Sequence, residues 1–273
     1  MSSTIAVAVG DNCIDHYLPP NEVDFSGGNA VNVAVHLQRA GCPTAYIGAI
    51  GDDENGKKLL LDLSREGVDS THIKIYPGYL TACTHIRMSD TNERQFVHED
   101  FGPKDAFTLE DSDIAFIQRH RLVHNTWQGG TEKYLQQFKS SADVLVSQDY
   151  GERYTSDFVD QTITYVDIAF FSLPEENVSL EIRQLAEQMK RRGPRLVVVT
   201  QGSKGSAAFD GGVYFQPAYP VKVVDTLGAG DAFIGTFLAN WLDKKGIPQS
   251  MKAAAQVAGE TCTHFGGWLF NQQ

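Results

Sequence analysis

The chain has 273 residues with 23 Lys+Arg against 34 Asp+Glu, a formal charge of −11, and its first Lys or Arg is Arg39. Nucleic acids and anionic membranes are held by clustered cations that release counterions, so neither is expected as a partner. The hydrophobic (42%), aromatic (10%) and charged (21%) fractions are globular values that exclude disorder, collagen and coiled coil, and the length suffices for one large core.

Ile5–Val9, with no basic residue ahead of it, reads as a first strand and not as a signal peptide. Asp11 and Asp15 follow at its carboxyl end, the edge where open α/β sheets meet ligands. Residues 13–25, with Pro19 and Pro20, are expected as a loop or short strand. In Phe25–Ala34 (FSGGNAVNVA), Gly27 and Gly28 precede a helix on which Asn29, Asn32 and His36 form one polar stripe at i, i+3 and i+7. Carboxylates and carboxamides on a glycine-opened pocket suit a polyhydroxylated ligand, because each hydroxyl both donates and accepts; capping asparagines on a solvated face are the equal alternative.

Ala45–Ile50 is the next strand, and Asn55–Glu66 a helix with Leu59, Leu60 and Leu63 on one side and Gly67 as its stop. Residues 79–98 alternate like antiparallel strands around a Ser-Asp-Thr-Asn turn, and with 13–25 they are expected to form a small flap over the ligand edge. Arg121–His124, Val144–Ser147, Ile168–Ser172 and Leu196–Thr200 are nearly continuous in apolar residues, as strands buried on both faces must be. A helix over Glu175–Arg192, closed by Gly193 and Pro194, lies between the last two. The alternation predicts an α/β fold: a mainly parallel sheet with helices on both faces, one domain over 1–273.

Four scattered cysteines without a C-x-x-C pair fit reduced thiols in a cytosol, and no uncharged apolar stretch approaches the roughly 20 residues that span a bilayer. The eight histidines show no H-x-x-x-H pair on a predicted helix, which leaves them structural or surface roles.

The most informative stretch is VVDTLGAGDAFIGTFLANWL, residues 223–242. A strand ends at Asp225, a Gly-Ala-Gly turn follows, and Phe233, Phe237 and Trp241 with Ile234 and Leu238 mark a helix. Gly228, Ala229 and Gly230 therefore stand at a helix N-terminus, whose free N–H groups and dipole attract an anion. Asp231, in the first turn beside that anion, is placed to accept a proton from an attacking hydroxyl; alone, it would read as a cap. A second turn, Thr200-Gln-Gly-Ser-Lys-Gly205, could cradle another phosphate at Gly202 and Gly205, although a hairpin also needs such glycines. Two phosphate-compatible turns beside one carboxylate suggest a triphosphate donor.

Gly27-Gly28-Asn29…Asn32, Gly51-Asp52-Asp53…Gly67-Val68-Asp69 and Asp225-Thr-Leu-Gly-Ala-Gly-Asp231 together resemble the PfkB (ribokinase-like) family of carbohydrate kinases, in the family's order from Ile5 to about Trp268. Within it, the GDNCID start, the FSGGNAVNVAV run, the short flap and the CTHFGGW ending look most like the fructosamine kinases. The resemblance implies a ribokinase-like three-layer α/β/α fold with a β lid, and ATP-dependent phosphorylation of a primary hydroxyl such as the 6-hydroxyl of fructoselysine. It implies Asp231 as general base and Gly228, Ala229 and Gly230 as the anion hole. It further implies Asp11, Asp15, Gly27, Gly28, Asn29 and Asn32 on the sugar, and Thr200, Gly202 and Gly205 on the ATP phosphates.

Magnesium would be served by Glu175, where Ser172-Leu-Pro-Glu175 departs from the family's Asn-x-x-Glu, and a monovalent cation such as K+ by Asp225 with backbone oxygens near residues 261–267. A homodimer through the lid is also implied. Arg94 is expected either on sugar or phosphate or as a solvated strand residue. Glu99 or Asp100 could receive the amine of an amino-acid-linked sugar, with a plain surface role as the alternative, and Trp127, at the same edge, could stack on a sugar face but is expected to pack in the core. Another kinase of the family, for ribose, fructose or nucleosides, and a sugar-binding regulator without catalysis are the alternatives.

Overall fold

The computed structural model describes residues 4–89, 94–154, 157–176 and 179–269. The chain begins with β1 (Ala6–Val9), β2 (Cys13–Tyr17), β3 (Val23–Gly27) and α1 (Asn29–Arg39), then β4 (Thr44–Ile47), β5 (Ala49–Gly51), α2 (Glu54–Arg65) and β6 (Lys74–Tyr76). Next come β7 (Cys83–Met88), β8 (Arg94–Asp100), α3 (Asp111–Ile117), β9 (Leu122–Thr126), α4 (Leu135–Lys139), β10 (Leu145–Asp149), α5 (Asp157–Thr162) and β11 (Ile168–Ser172). It closes with α6 (Ser179–Lys190), β12 (Leu196–Thr200), β13 (Ser206–Phe209), β14 (Val213–Gln216), α7 (Ala229–Leu242) and α8 (Ile247–Thr261).

Eight strands form the main sheet in the order β14-β13-β12-β11-β10-β9-β1-β4. The six from β4 to β12 are parallel and the β13–β14 hairpin runs antiparallel at one edge. Alternate residues of each inner strand feed opposite layers, as the twofold period of a strand requires. Val7, Val123, Val146 and Val197 pack with residues of α3, α4, α5 and α6, whereas Ala6, Leu122, Ile168 and Leu196 pack with α1, α7 and α8. A side chain buried on either face explains why these strands read as unbroken apolar runs.

Several boundaries differ from the sequence expectation. The strand expected at Ala45–Ile50 breaks at Gly48, where a Cβ would lie 2.0 Å from the Tyr46 hydroxyl, and its second part leaves the main sheet to pair with β6. The helix expected from Glu175 starts at Ser179 instead, because Glu175 is committed to the turn after β12, its carboxylate accepting from Ser203 N (2.7 Å) and Ser203 Oγ (2.8 Å). Of the two readings for residues 13–25 the strand one holds, twice over: β2 and β3 form a hairpin around residues 18–22, and with β7 and β8 they build a second sheet, β3-β2-β7-β8, beside the carboxyl edge. Most of the turn expected between β7 and β8 lies outside the described residues.

Helices α1 and α7 cross at Gly235, where an added Cβ would lie 2.7 Å from His36 Cβ and 2.8 Å from Val33 O. Helix propensity alone favours Gly235→Ala by about 1 kcal/mol, but overpacking a closed helix contact costs about 1–3 kcal/mol. The expected result is net destabilisation, read as a lower urea midpoint; a raised midpoint would show that the crossing yields without strain.

Candidate active site

Above β1 and β9, a cavity of about 370 Å³ lies between the carboxyl edge and the lid sheet. Gly10, Asp11 and Asn12 reach it from the end of β1, and Asn29 and Asn32 from α1. Gly228, Gly230 and Asp231 enter from the start of α7; Asp15, Arg94 and Phe96 enter from the lid. Glu99, Asp100, Lys104 and Trp127 also line the cavity. Trp127, expected in the core, is half-buried on this wall because β9 ends one residue before it, and the Arg153 guanidinium lies 3.9 Å from its ring centroid.

Asp231 is 8% exposed, and its Oδ2 accepts from Asn32 Nδ2 at 2.8 Å. Asn32 Oδ1 accepts from Trp268 Nε1 at 3.0 Å, which fixes which end of the carboxamide faces the carboxylate. Asn32, expected on the sugar, is thus taken up on both sides in positioning Asp231. Burial pushes the Asp231 pKa well above the usual carboxylate value; the Asn32 hydrogen bond opposes this, and the charges of Asp149, Asp11 and Asp15 add to it.

Gly228 sits at φ 75, and a Cβ there would lie 2.4 Å from Gly267 Cα. Only glycine fits the left-handed turn against that backbone. The first intrahelical bond is Ala232 N to Gly228 O (2.8 Å), while Ala229 N turns back to Thr226 O (3.3 Å). Gly228 and Gly230 line the cavity and Ala229 does not, so the three expected anion-hole residues do not present themselves equally.

Asp11 is oriented by the site itself: Oδ2 accepts from Asn29 N at 2.6 Å and Oδ1 from the Thr126 hydroxyl. Asp15 is 3% exposed and accepts from Cys13 Sγ at 3.3 Å. Gly27 is not on the cavity wall; a Cβ there would lie 2.1 Å from Asp15 Oδ2, so its smallness makes room for that carboxylate. Gly28 does line the cavity, at φ 101 against Asn12. Burial pushes the Asp15 pKa up to about 6, the Cys13 and Arg94 interactions opposing it. The folded state therefore keeps a proton that the unfolded chain releases, and this contribution is present below the ordinary value of 3.8 and lost as pH rises through about 6. At pH 8 Asp15→Asn is expected to raise stability by about 1–3 kcal/mol, a gain that shrinks towards pH 4. Thermal midpoints at the two pH values check it, and equal shifts at both would contradict the buried charge.

Thr200, Gly202 and Gly205 are not on this wall. They form the turn between β12 and β13, with Gly205 at φ 97 and its missing Cβ 2.2 Å from Gln216 O. Since β12 is four strands from β1, the turn lies about 19 Å along the same edge. Glu175 stands beside it, exposed, and its pKa is lowered by the Ser203 hydrogen bonds. Magnesium carried by phosphates takes one or two carboxylates and water, so Glu175 fits that need directly or through water. No cluster of three or more His, Cys, Asp or Glu suited to a metal occurs among the described residues.

Asp225, expected to serve a monovalent cation, is placed otherwise. Its Oδ1 accepts from Arg94 Nη1 (3.1 Å) and Leu227 N (3.0 Å), and its Oδ2 from the Tyr17 hydroxyl. The donor set as it stands does not fit a cation, because a guanidinium already neutralises the carboxylate. Arg94, expected on ligand or in solvent, thus borders the cavity with its charge committed to Asp225. Tyr17, Thr126 and Trp268 had no role in the sequence reading; the only signal for Tyr17 was its alternation with Asp15 on one strand.

A mainly parallel α/β/α sandwich whose helix N-terminus opens on a lidded, carboxylate-lined cavity defines an enzyme that handles a small polar substrate beside an anion. Residues 9–271 match the pfkB family carbohydrate kinase, and the chain belongs to that family. It is 37% identical to the fructoselysine 6-kinase of Shigella flexneri over 261 residues, 95% of this chain and 98% of that one. With the fructosamine kinase FrlD of Bacillus subtilis it shares 33% over 266 residues, 96% and 92% of the two chains. Its fold matches Arabidopsis thaliana ribokinase, solved with ribose and ATP, at a TM-score of 0.84 and 22% identity, covering 97% and 94%. The protein is a carbohydrate kinase with the ribokinase-like fold.

Proposed function

We propose that this kinase transfers the terminal phosphoryl group of ATP to the primary 6-hydroxyl of a fructosamine such as fructoselysine. The observation that carries the reading is Asp231 itself: buried in the first turn of α7, oriented by Asn32, and facing a cavity with Asp11, Asp15 and Asn29 on its other walls. Asp231 takes the hydroxyl proton as the new O–P bond forms and the bond to the ADP oxygen breaks. The N–H groups at Gly228 and Gly230 face the charge on the transferring group, and the turn from Thr200 to Gly205 receives the nucleotide phosphates. Glu175 would hold a magnesium ion, directly or through water, and the ion would supply neutralisation of phosphate charge. The fructosamine choice is supported by the two relatives and by the cavity lining, where Glu99 and Asp100 suit an ammonium and Lys104 a carboxylate.

ADP release with magnesium, measured across fructoselysine, other fructosamines, fructose, ribose and nucleosides, tests this. We expect kcat/KM for fructoselysine to exceed that for ribose by at least about 10², the scale set by buried polar groups left unpaired in the wrong ligand. A preference for ribose would remove the fructosamine assignment, and no ADP release with any sugar would leave a sugar-binding protein.

A homodimer through the lid belongs to the same reading: β8 ends the lid sheet and leaves Val97 48% exposed. Sedimentation should show a dimer that Val97→Asp weakens at least about tenfold. A cytoplasmic location suits an ATP-consuming reaction and four free thiols, and among the described residues no helix is long and apolar enough to cross a membrane.

A further inference from the structure

Two residues of the lid converge on one carboxylate of the α7 turn. Tyr17, from β2, donates its hydroxyl to Asp225 Oδ2, and Arg94, from β8, donates Nη1 to Asp225 Oδ1 at 3.1 Å. The Asp225 side chain is 1% exposed and that of Arg94 22%. A charge so deeply withdrawn from water is costly unless it is paired, and here the guanidinium pairs it. The same Oδ1 accepts from Leu227 N at 3.0 Å, which ties the charge to the shape of the turn leading into Gly228.

Three backbone oxygens of the 261–267 segment accept hydrogen bonds as well. Cys262 O accepts from Val224 N (2.8 Å), Phe265 O from His264 Nδ1 (2.9 Å), and Gly267 O from His36 Nε2 (3.0 Å). Tyr17 closes the remaining side: it is fully buried, it lies between the rings of Phe25 and Phe265, and its hydroxyl also accepts from Gly266 N at 3.2 Å. An alkali ion at Asp225 would compete with a tyrosine hydroxyl and a guanidinium for the carboxylate oxygens.

We infer that Arg94 is the resident cation of the anion hole in this enzyme: the lid guanidinium takes the place of an alkali metal ion at Asp225, so the site forms without one. The inference rests on the kinase reading for its activity measurement but not for its binding measurements. In it Arg94 is a positioning residue, acting through Asp225 on the Gly228 turn.

The test compares potassium chloride with choline chloride at equal ionic strength. For the wild type we expect ADP release within twofold between the two salts, an unchanged thermal midpoint, and no saturable thallium(I) binding by 205Tl NMR. For Arg94→Ala we expect a lower midpoint in choline, raised saturably by potassium, with at least a tenfold recovery of ADP release. Arg94→Lys, which keeps a charge at that place, should stay indifferent to potassium. Saturable thallium binding to the wild type, or its activation by potassium of tenfold or more, would overturn the inference, as would an Arg94→Ala protein equal to wild type in choline. If the wild type released no ADP with any sugar the kinase reading would fall, yet the midpoints and thallium binding would still decide the cation. If Arg94→Ala did not fold, the wild-type binding measurement and Arg94→Lys would decide it.

Discussion

Asp231→Asn is expected to lower kcat by about 10²–10⁴, the range for removing a general base, while sugar affinity and fold persist. The substitution is isosteric, and the carbonyl of the new carboxamide can still accept from the Asn32 amide that holds Asp231 at 2.8 Å. It also removes a buried carboxylate whose ionisation opposes folding, so the variant should be no less stable than wild type. Single-turnover kinetics with calorimetric sugar binding separates the outcomes. Activity within tenfold of wild type would sink the assignment.

The wild-type pH profile carries the same argument. Because burial raises the Asp231 pKa, the base is lost by protonation at a higher pH than an ordinary carboxylate, and kcat/KM should fall on the acid side well above pH 4. Asp15 and Asp149 each have a pKa raised to about 6 by burial, and the Asp11 charge further raises both. The acid limb therefore belongs to a coupled set of carboxylates and should be shallower than a single titration.

Gly228→Ala should cost about 10²–10³ in kcat, the scale of losing an oxyanion-type donor. Its Cβ would fall 2.4 Å from Gly267 Cα, backbone against backbone, at a φ of +75. Either the turn rotates away from its left-handed conformation or the 262–268 segment moves, and both displace the N–H groups ahead of Asp231. Gly230→Ala is the internal control, since a Cβ there meets no atom within 4 Å. It should fold as wild type does, with any loss confined to turnover, because Gly230 lines the cavity. Stability measured in parallel distinguishes the two, with Gly228→Ala also losing about 1–3 kcal/mol. Full activity in Gly228→Ala would show that the turn is not the anion site.

Much of the layer architecture was legible because local patterns report it. The parallel strands are buried on both faces, so their apolar runs needed no partner to be recognised. Failures came where a residue answered to something distant. Glu175 carries helix-forming neighbours but is held by Ser203, and the second part of the Ala45–Ile50 run leaves the main sheet to pair with β6. The lid's β2 and β3 are too mixed in polarity to be told from loop by pattern alone; what makes them strands is pairing with each other and of β2 with β7.

A charge of −11 stands against an anionic substrate, and the resolution lies in backbone dipoles that no count of side chains contains. By itself the sequence determined the start of α7, because a glycine turn, a helix N-terminus and an aspartate in its first turn are local consequences of seven consecutive residues, Asp225 to Asp231. Only the tertiary structure decided how that aspartate is held and what balances its neighbour. Asn32 meets Asp231 across 199 residues and Arg94 meets Asp225 across 131. Such pairs follow from the packing of α1 on α7 and of the lid on the sheet edge, and no spacing within either segment encodes them.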